Sequence, residues 1–223
     1  SIANVEFAVA SPVNVAATAT WDVSANEIII YVEAYYTANS NTSTNKLNVA
    51  ILENNVPGPQ TGGTNFNPTN FDNEGNYLHQ HMLRDFATGQ WGVDISPTTS
   101  GSFYSDTFTY TIPADYNGIV PDFGQLELAV YIAEGQQEIL TGIDVPITYT
   151  NVATTNNAGV VSVENLGIYC GSSVSPQVTI KNMGGADLTS LDITYDINGG
   201  SSSMHQWTGS LATYQKTDII LPA

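Results

Sequence analysis

Glu-Ile-Ile-Ile-Tyr-Val-Glu-Ala-Tyr-Tyr-Thr, residues 27–37, is the stretch on which the fold turns. Side chains along a strand point alternately to its two faces. One face here collects Ile28, Ile30, Val32, Ala34 and Tyr36, and the other Ile29, Tyr31, Glu33 and Tyr35. The β-branched and aromatic content favours a strand. The same rhythm continues outward in both directions. Residues 5–9 and 16–23 read as strands split at Ser11-Pro12, and a polar tip at 39–45 leads into a strand at 46–53 with Leu47, Val49 and Ile51 inward. Residues 103–112 set Tyr104, Asp106, Phe108, Tyr110 and Ile112 against Phe103, Ser105 and three threonines, until Pro113 ends the run. Residues 125–134 carry Leu126, Leu128, Val130 and Ile132 on one face. Gly135-Gln136 reads as a hairpin turn into a partner strand at 137–149, where Pro146 marks an edge or a bulge.

The predicted architecture is all-β: two tandem antiparallel β-sandwich domains. The first, residues 1–150, is jelly-roll-like. An Asn- and Thr-rich linker follows at 151–158. From 159 to 223 five short strands are predicted, at 160–164, 174–182, 190–197, 204–211 and 214–221, punctuated by Met183-Gly184-Gly185 and Asn198-Gly199-Gly200. That spacing is immunoglobulin-like, but such domains need about seven strands, so this one reads as incomplete. Helix signals are scarce, with a turn near 85–88 the one candidate.

Composition bounds the function. Four Lys plus Arg stand against 21 Asp plus Glu, a net charge of −17. Such a chain repels phosphate backbones and anionic lipid, which excludes nucleic-acid binding and docking on acidic membranes. The plain reading of the acidity is a solvated exterior; divalent cations, calcium above all, are the other. With 42% hydrophobic residues the chain can bury a core. No apolar run approaches the ~20 residues of a membrane helix. No leader is visible at Ser1, and the chain reads as a mature or trimmed piece. The single cysteine, Cys170, cannot form an internal disulfide; it is a buried small residue or a half-cystine whose partner lies past Ala223.

The densest chemistry lies in residues 75–92, Gly-Asn-Tyr-Leu-His-Gln-His-Met-Leu-Arg-Asp-Phe-Ala-Thr-Gly-Gln-Trp-Gly. It holds two of three histidines, the lone arginine and one of three tryptophans. Read as one strand, 77–84 puts Tyr77, His79, His81 and Leu83 on one face. His79 and His81 then point together, as a metal pair with Asp85 or Glu74 as third ligand, or as structural histidines bonded across the sheet. Arg84, in so acidic a chain, is expected to be tied to a carboxylate or to backbone carbonyls. The preceding segment, 54–76, reads as a long loop without periodicity, the kind that is often functional. Its end, Asp72-Asn73-Glu74-Gly75-Asn76, spaces oxygen ligands like a short cation loop or an ordinary Asx-rich turn. The candidate metal residues are therefore Asp72, Glu74, His79 and His81. Trp91, in a Gly-flanked turn, and Tyr77 are the candidate ligand-binding residues, as aromatic faces for a sugar. No Gly-x-Ser-x-Gly or His-Glu-x-x-His specifies a hydrolase.

The run Tyr77-Leu78-His79-Gln80-His81-Met82-Leu83-Arg84-Asp85-Phe86, followed by Thr88-Gly89-Gln90-Trp91-Gly92, resembles the Tyr-x-His-Asn-His-Val-Leu-Arg segment of the Bacteroidetes 28-kilodalton outer-membrane protein family. The Asn54-Asn55 turn and the 126–140 hairpin are similar to the same region, and the resemblance spans residues 5–149. From 160 onward, Asn182, Gly184, Leu188-Thr189-Ser190, Tyr195, Ile197-Asn198-Gly199, Trp207, Gly209 and Leu211 resemble immunoglobulin-like modules of secreted Bacteroidetes proteins. The resemblance implies an exported, surface-associated β domain, often found behind a thioredoxin-like one; no Cys-x-x-Cys is present to support redox chemistry here.

The expected function is non-catalytic: a secreted or outer-membrane-associated binding or structural module of a larger surface assembly. Its partner would be a protein or a glycan, with sheet edges open to strand addition. The alternatives are a carbohydrate-binding module and a metal-dependent enzyme using His79 and His81.

Overall fold

The computed structural model describes residues 10–72, 74–164 and 173–223. The expected strand at 5–9 and Cys170 lie outside these. The chain divides into two compact units, Ser1–Thr148 and Tyr149–Ala223. Almost all regular structure is strand.

In unit 1, β1 (Val13–Asp22) and β2 (Glu27–Tyr36) form a ten-pair antiparallel hairpin, Val13↔Tyr36 to Asp22↔Glu27. Its turn is built by Asp22, whose Oδ1 accepts from the backbone of Ser24 and Ala25 at 3.0 and 3.1 Å, and by Asn26 in the left-handed region at φ 56°. β8 (Phe103–Thr111) pairs with the other side of β2, and β11 (Ile147–Thr150) adds the edge beside β1. The second sheet is centred on β3 (Asn45–Glu53), with β9 (Leu126–Glu134) on one side and β10 (Glu138–Val145) beyond it. On the other side of β3, β6 (Met82–Phe86) and β7 (Val93–Ile95) pair end to end. Pro146 falls where the chain leaves β10 in one sheet for β11 in the other, because proline cannot donate to a ladder.

The alternation predicted for residues 27–37 is the core. Ile28, Ile30, Val32 and Tyr36 are all fully buried, as are Leu47, Val49 and Ile51 of β3 and Leu128, Val130 and Ile132 of β9. Each such side chain contributes on the order of 1.5–3 kcal/mol by leaving water. Asn45, also fully buried, joins the two layers. Its Nδ2 donates to the Tyr36 hydroxyl at 3.1 Å while its Oδ1 accepts from Ser40 and Thr42.

Segment 54–76 is not the featureless loop that its composition suggests. β4 (Val56–Gly58) pairs with β5 (Tyr77–His79), and a single helical turn, α1 (Gly63–Phe66), sits between them. Strand 77–84 is correspondingly broken in two. Gln80 and His81 leave the ladder, and His81 adopts φ 50°.

Unit 2 contains the five predicted strands among its described residues. β12 (Ala158–Glu164), β13 (Gln177–Asn182) and β16 (Lys216–Ile220) form one sheet, and β14 (Leu188–Tyr195) pairs with β15 (Ser203–Leu211). Val178, Ile180, Ile193, Leu211, Ile219 and Leu221 make its core. The segment read as a linker is bonded into this unit. Thr154, Thr155 and Asn157 accept backbone hydrogen bonds from Gly185, Ala186 and Met183 at 2.8–2.9 Å. Gly184 is required there, since a Cβ would lie 2.5 Å from the Thr155 oxygen. Asn182, fully buried, locks the turn: its amide donates to the carbonyls of Ala186 and Leu211, each at 2.8 Å, and its oxygen accepts from Gly184 N at 2.9 Å. Replacing Asn182 with Ala leaves these buried groups without partners, at a cost of about 1–3 kcal/mol for each one stranded. Calorimetry on the whole chain is expected to show the unfolding of unit 2 moved to lower temperature and that of unit 1 unmoved.

Candidate functional site

The lone arginine finds its carboxylate inside unit 1. β3 and β6 pair as Ile51↔Asp85 and then Leu52↔Leu83, so Arg84 is the extra residue of a β-bulge. A bulge re-aims one side chain against the alternation of its strand. Met82 and Leu83 both stay exposed, while Arg84 turns inward to Glu53, the last residue of β3. Arg84 Nε lies 3.1 Å from Glu53 Oε2, and both side chains are only 4% exposed. Neither atom meets hydrogen-bond geometry, so the attraction is chiefly between charges. The guanidinium rests 4.5 Å over the Tyr116 ring, and one of its terminal nitrogens donates to the Ile119 carbonyl at 3.3 Å. Glu53 Oε1 accepts from the Asp122 backbone N–H at 2.7 Å. Tyr110, on β8 of the facing sheet, donates to Asp85 Oδ2 at 3.1 Å, and its oxygen lies 2.8 Å from that of Tyr116.

Burial raises the Glu53 carboxyl above the usual range, against the lowering effects of the Asp122 N–H and Arg84. Burial, then the Tyr116 and Asp85 contacts, pushes the Tyr110 phenol far up, and burial raises Tyr116 as well. Both phenols stay protonated at physiological pH and serve as donors. Together these residues clamp residues 116–122 onto the end of the second sheet. Their polar atoms face one another and the backbone.

The residues nominated from sequence are dispersed. Tyr77 and His79 belong to the 56–79 hairpin. Tyr77 packs edge-on against Phe71 and His79, at 5.4 and 5.0 Å, and its hydroxyl accepts from Asn67. His81 lies past the break. Its N–H donates to Asn54 Oδ1 at 2.8 Å, and its ring Nδ1 meets Glu127 at 2.9 Å in an exposed pair. The two histidines therefore do not share one strand face, because the left-handed residue 81 ends the alternation. Asp72 serves its own turn, accepting from the backbone of Glu74 and Asn76 and from the Asn76 side chain. The Asn76 contacts above all hold its carboxyl below the ordinary value. Glu74 is exposed. Among the described residues no three His, Cys, Asp or Glu side chains come together as a metal-holding group. Trp91 is 58% exposed in the turn before β7. That turn is fixed by Gly92, at φ 68°, where a Cβ would sit 2.5 Å from the Leu47 oxygen.

A second surface, not among the residues nominated from sequence, lies on unit 1. On the outward face of β2, Ile29, Tyr31 and Tyr35 are 44%, 41% and 49% exposed, and Phe103, paired with Tyr35 across to β8, is 58% exposed. Glu33 and Ser105 form the neighbouring pair, and Tyr31 donates to Glu33 Oε1 at 2.8 Å. The signal was present in the sequence: Tyr31 and Tyr35 alternate with an unbroken apolar row, and if that row is core they must face out.

Arg84→Leu leaves Glu53 buried without its counter-charge, and is expected to cost about 3–5 kcal/mol at pH 7 in urea denaturation. The sign with pH follows from the raised carboxyl. A folded-state pKa above the unfolded ~4.3 gives stability that is present below that value and lost as pH rises through the folded pKa. Removing Arg84 enlarges the rise, so the deficit of the variant relative to the parent shrinks as pH falls from 7 towards 4. Glu53→Leu combined with Arg84→Met is expected to recover most of the loss.

The family model of the outer membrane protein Omp28 matches residues 3–123, more than half of the chain. No curated protein matches. Among solved structures, a domain of the outer membrane lipoprotein Omp28 from Porphyromonas gingivalis is similar at 14% identity and TM-score 0.39, covering 63% of this chain and 92% of that one. HBP35 of Porphyromonas gingivalis is similar at 12% identity and TM-score 0.45, covering 89% of this chain. The chain spans 64% of the length of that HBP35 structure. No helix among the described residues is long and apolar enough to cross a membrane. The chain belongs to the Omp28 family of outer membrane proteins, and its place is at the outer-membrane-associated surface.

Proposed function

We propose that the chain is a non-catalytic binding module of a cell-surface assembly, and that unit 1 offers the outward face of its four-stranded sheet to an extracellular partner. The observation that carries this reading is the set Ile29, Tyr31, Tyr35 and Phe103: four large apolar or amphipathic side chains, each more than 40% exposed, on one sheet face. Several large exposed apolar side chains sharing one sheet face mark an interaction site more readily than scattered single ones. Tyrosine and phenylalanine give large contact area for few frozen torsions, which suits them as anchors. The polar cluster at the end of the second sheet supports the same reading from the other side. Glu53, Arg84, Asp85 and Tyr110 are engaged with one another and with the 116–122 backbone, so their work is to hold a loop.

Beads coated with the purified chain are expected to attach to plates carrying surface material extracted from the producing cells, either its protein or its polysaccharide fraction. Tyr35→Thr with Phe103→Thr keeps strand propensity while removing both rings. That coat is expected to attach about ten-fold less or worse, with an unchanged unfolding midpoint. Equal attachment by parent and variant beads removes this face from the function. No attachment of the parent to either fraction removes the binding reading itself.

A further inference from the structure

We propose that this face is a binding site for a neutral oligosaccharide, seated across Tyr35, Phe103 and Tyr31; the inference rests on the binding-module reading above.

The arrangement is two-part. Tyr35 and Phe103 are a direct cross-strand pair, so their rings stand on strands about 4.8 Å apart and make one broad apolar step. Tyr31 lies four residues along β2, about 13 Å away at the rise of an antiparallel strand, on the same face. Between the two aromatic positions lies a polar rung, Glu33 beside Ser105. The Tyr31 hydroxyl is held by Glu33, 2.8 Å away, which fixes its ring relative to the rung. A pyranose ring has an apolar C–H face and a rim of hydroxyls. Aromatic rings take the first by burial, and carboxylate and hydroxyl side chains take the second by hydrogen bonding. An apolar step, a hydrogen-bonding rung and a second ring, in line along one strand, suit an extended chain of such units.

Charge selects among ligands. β11, β1, β2 and β8 carry no lysine or arginine, so this sheet offers no cation to a sulfate, phosphate, uronate or sialic carboxylate. Glu33 on the face, and −17 on the whole chain, repel all of these. The same charge opposes a second copy of the chain on this face. A protein partner is less well matched, because the large side chains are interleaved with Ser105, Thr107 and Thr109 rather than joined into one apolar patch. A neutral polyhydroxyl ligand meets neither obstacle.

The test is affinity electrophoresis of the whole chain in native gels. The gels contain neutral gluco-, manno- or galacto-configured polysaccharide or, separately, polygalacturonate or a sulfated galactan. The acidic protein is expected to be retarded by at least one neutral polymer and by neither acidic one. Tyr35→Thr with Phe103→Thr is expected to weaken that retardation about ten-fold or more. Trp91→Ala, a change in a turn of the other sheet, is expected to leave it intact. Retardation that survives loss of Tyr35 and Phe103, retardation lost with Trp91 alone, or binding confined to acidic polymers overturns the proposal. So does the absence of retardation by every neutral polymer. If in that case parent beads still attach to the protein fraction and the double variant does not, the module reading stands and only the glycan falls.

Discussion

The packing of two inward rows against each other is the constraint on which unit 1 depends. Ile28, Ile30 and Val32 on β2 face an interior closed by Leu47, Val49 and Ile51 on β3 and by Leu128, Val130 and Ile132 on β9. With period-two side chains, a one-residue slip of β2 would bury Tyr31, Glu33 and Tyr35 and expose three isoleucine-class residues. The register therefore has a single acceptable solution, and the outward identity of Tyr31 and Tyr35 is a consequence of it. The face proposed to bind is the reverse side of the core.

The second sheet shows how one irregularity converts a surface strand into an internal clamp. Arg84 would face outward if β6 kept step with β3. The bulge between Ile51 and Leu52 turns it in, and Glu53, Tyr116 and the 119–122 backbone receive it. An ion pair this buried adds little net stability compared with apolar residues of the same size, because desolvation offsets most of the attraction. Its value is positional. It fixes residues 116–122, a segment with little apolar burial of its own, at the end of the second sheet.

Surface location and surface chemistry agree. On the proposed reading, aromatic rings among hydroxyls on a negatively charged, outer-membrane-associated body suit weak, reversible contact with uncharged polymers. A net charge of −17 disfavours contact with nucleic acids, acidic lipids and sibling copies.

The strands, their faces and the all-β class were legible from residues 27–37, 46–53 and 126–134, because alternation is a local property that burial then enforces. The partners of Arg84 were legible as types, a carboxylate or backbone carbonyls, but not as Glu53 and Ile119, since sequence does not reveal where a bulge falls. Nor was the position of His81 legible: it takes φ 50°, with its N–H bonded to Asn54 27 residues earlier, and no local pattern announces that break. Segment 54–76 looked featureless because its order comes from pairing between β4 and β5 rather than from periodicity. Alternation and composition dictate which side chains must leave water, and so the class, the core and the sign of the surface. Which polar groups meet and which aromatics share a free face emerges only on folding, because those depend on register, bulges and loop closure between distant residues.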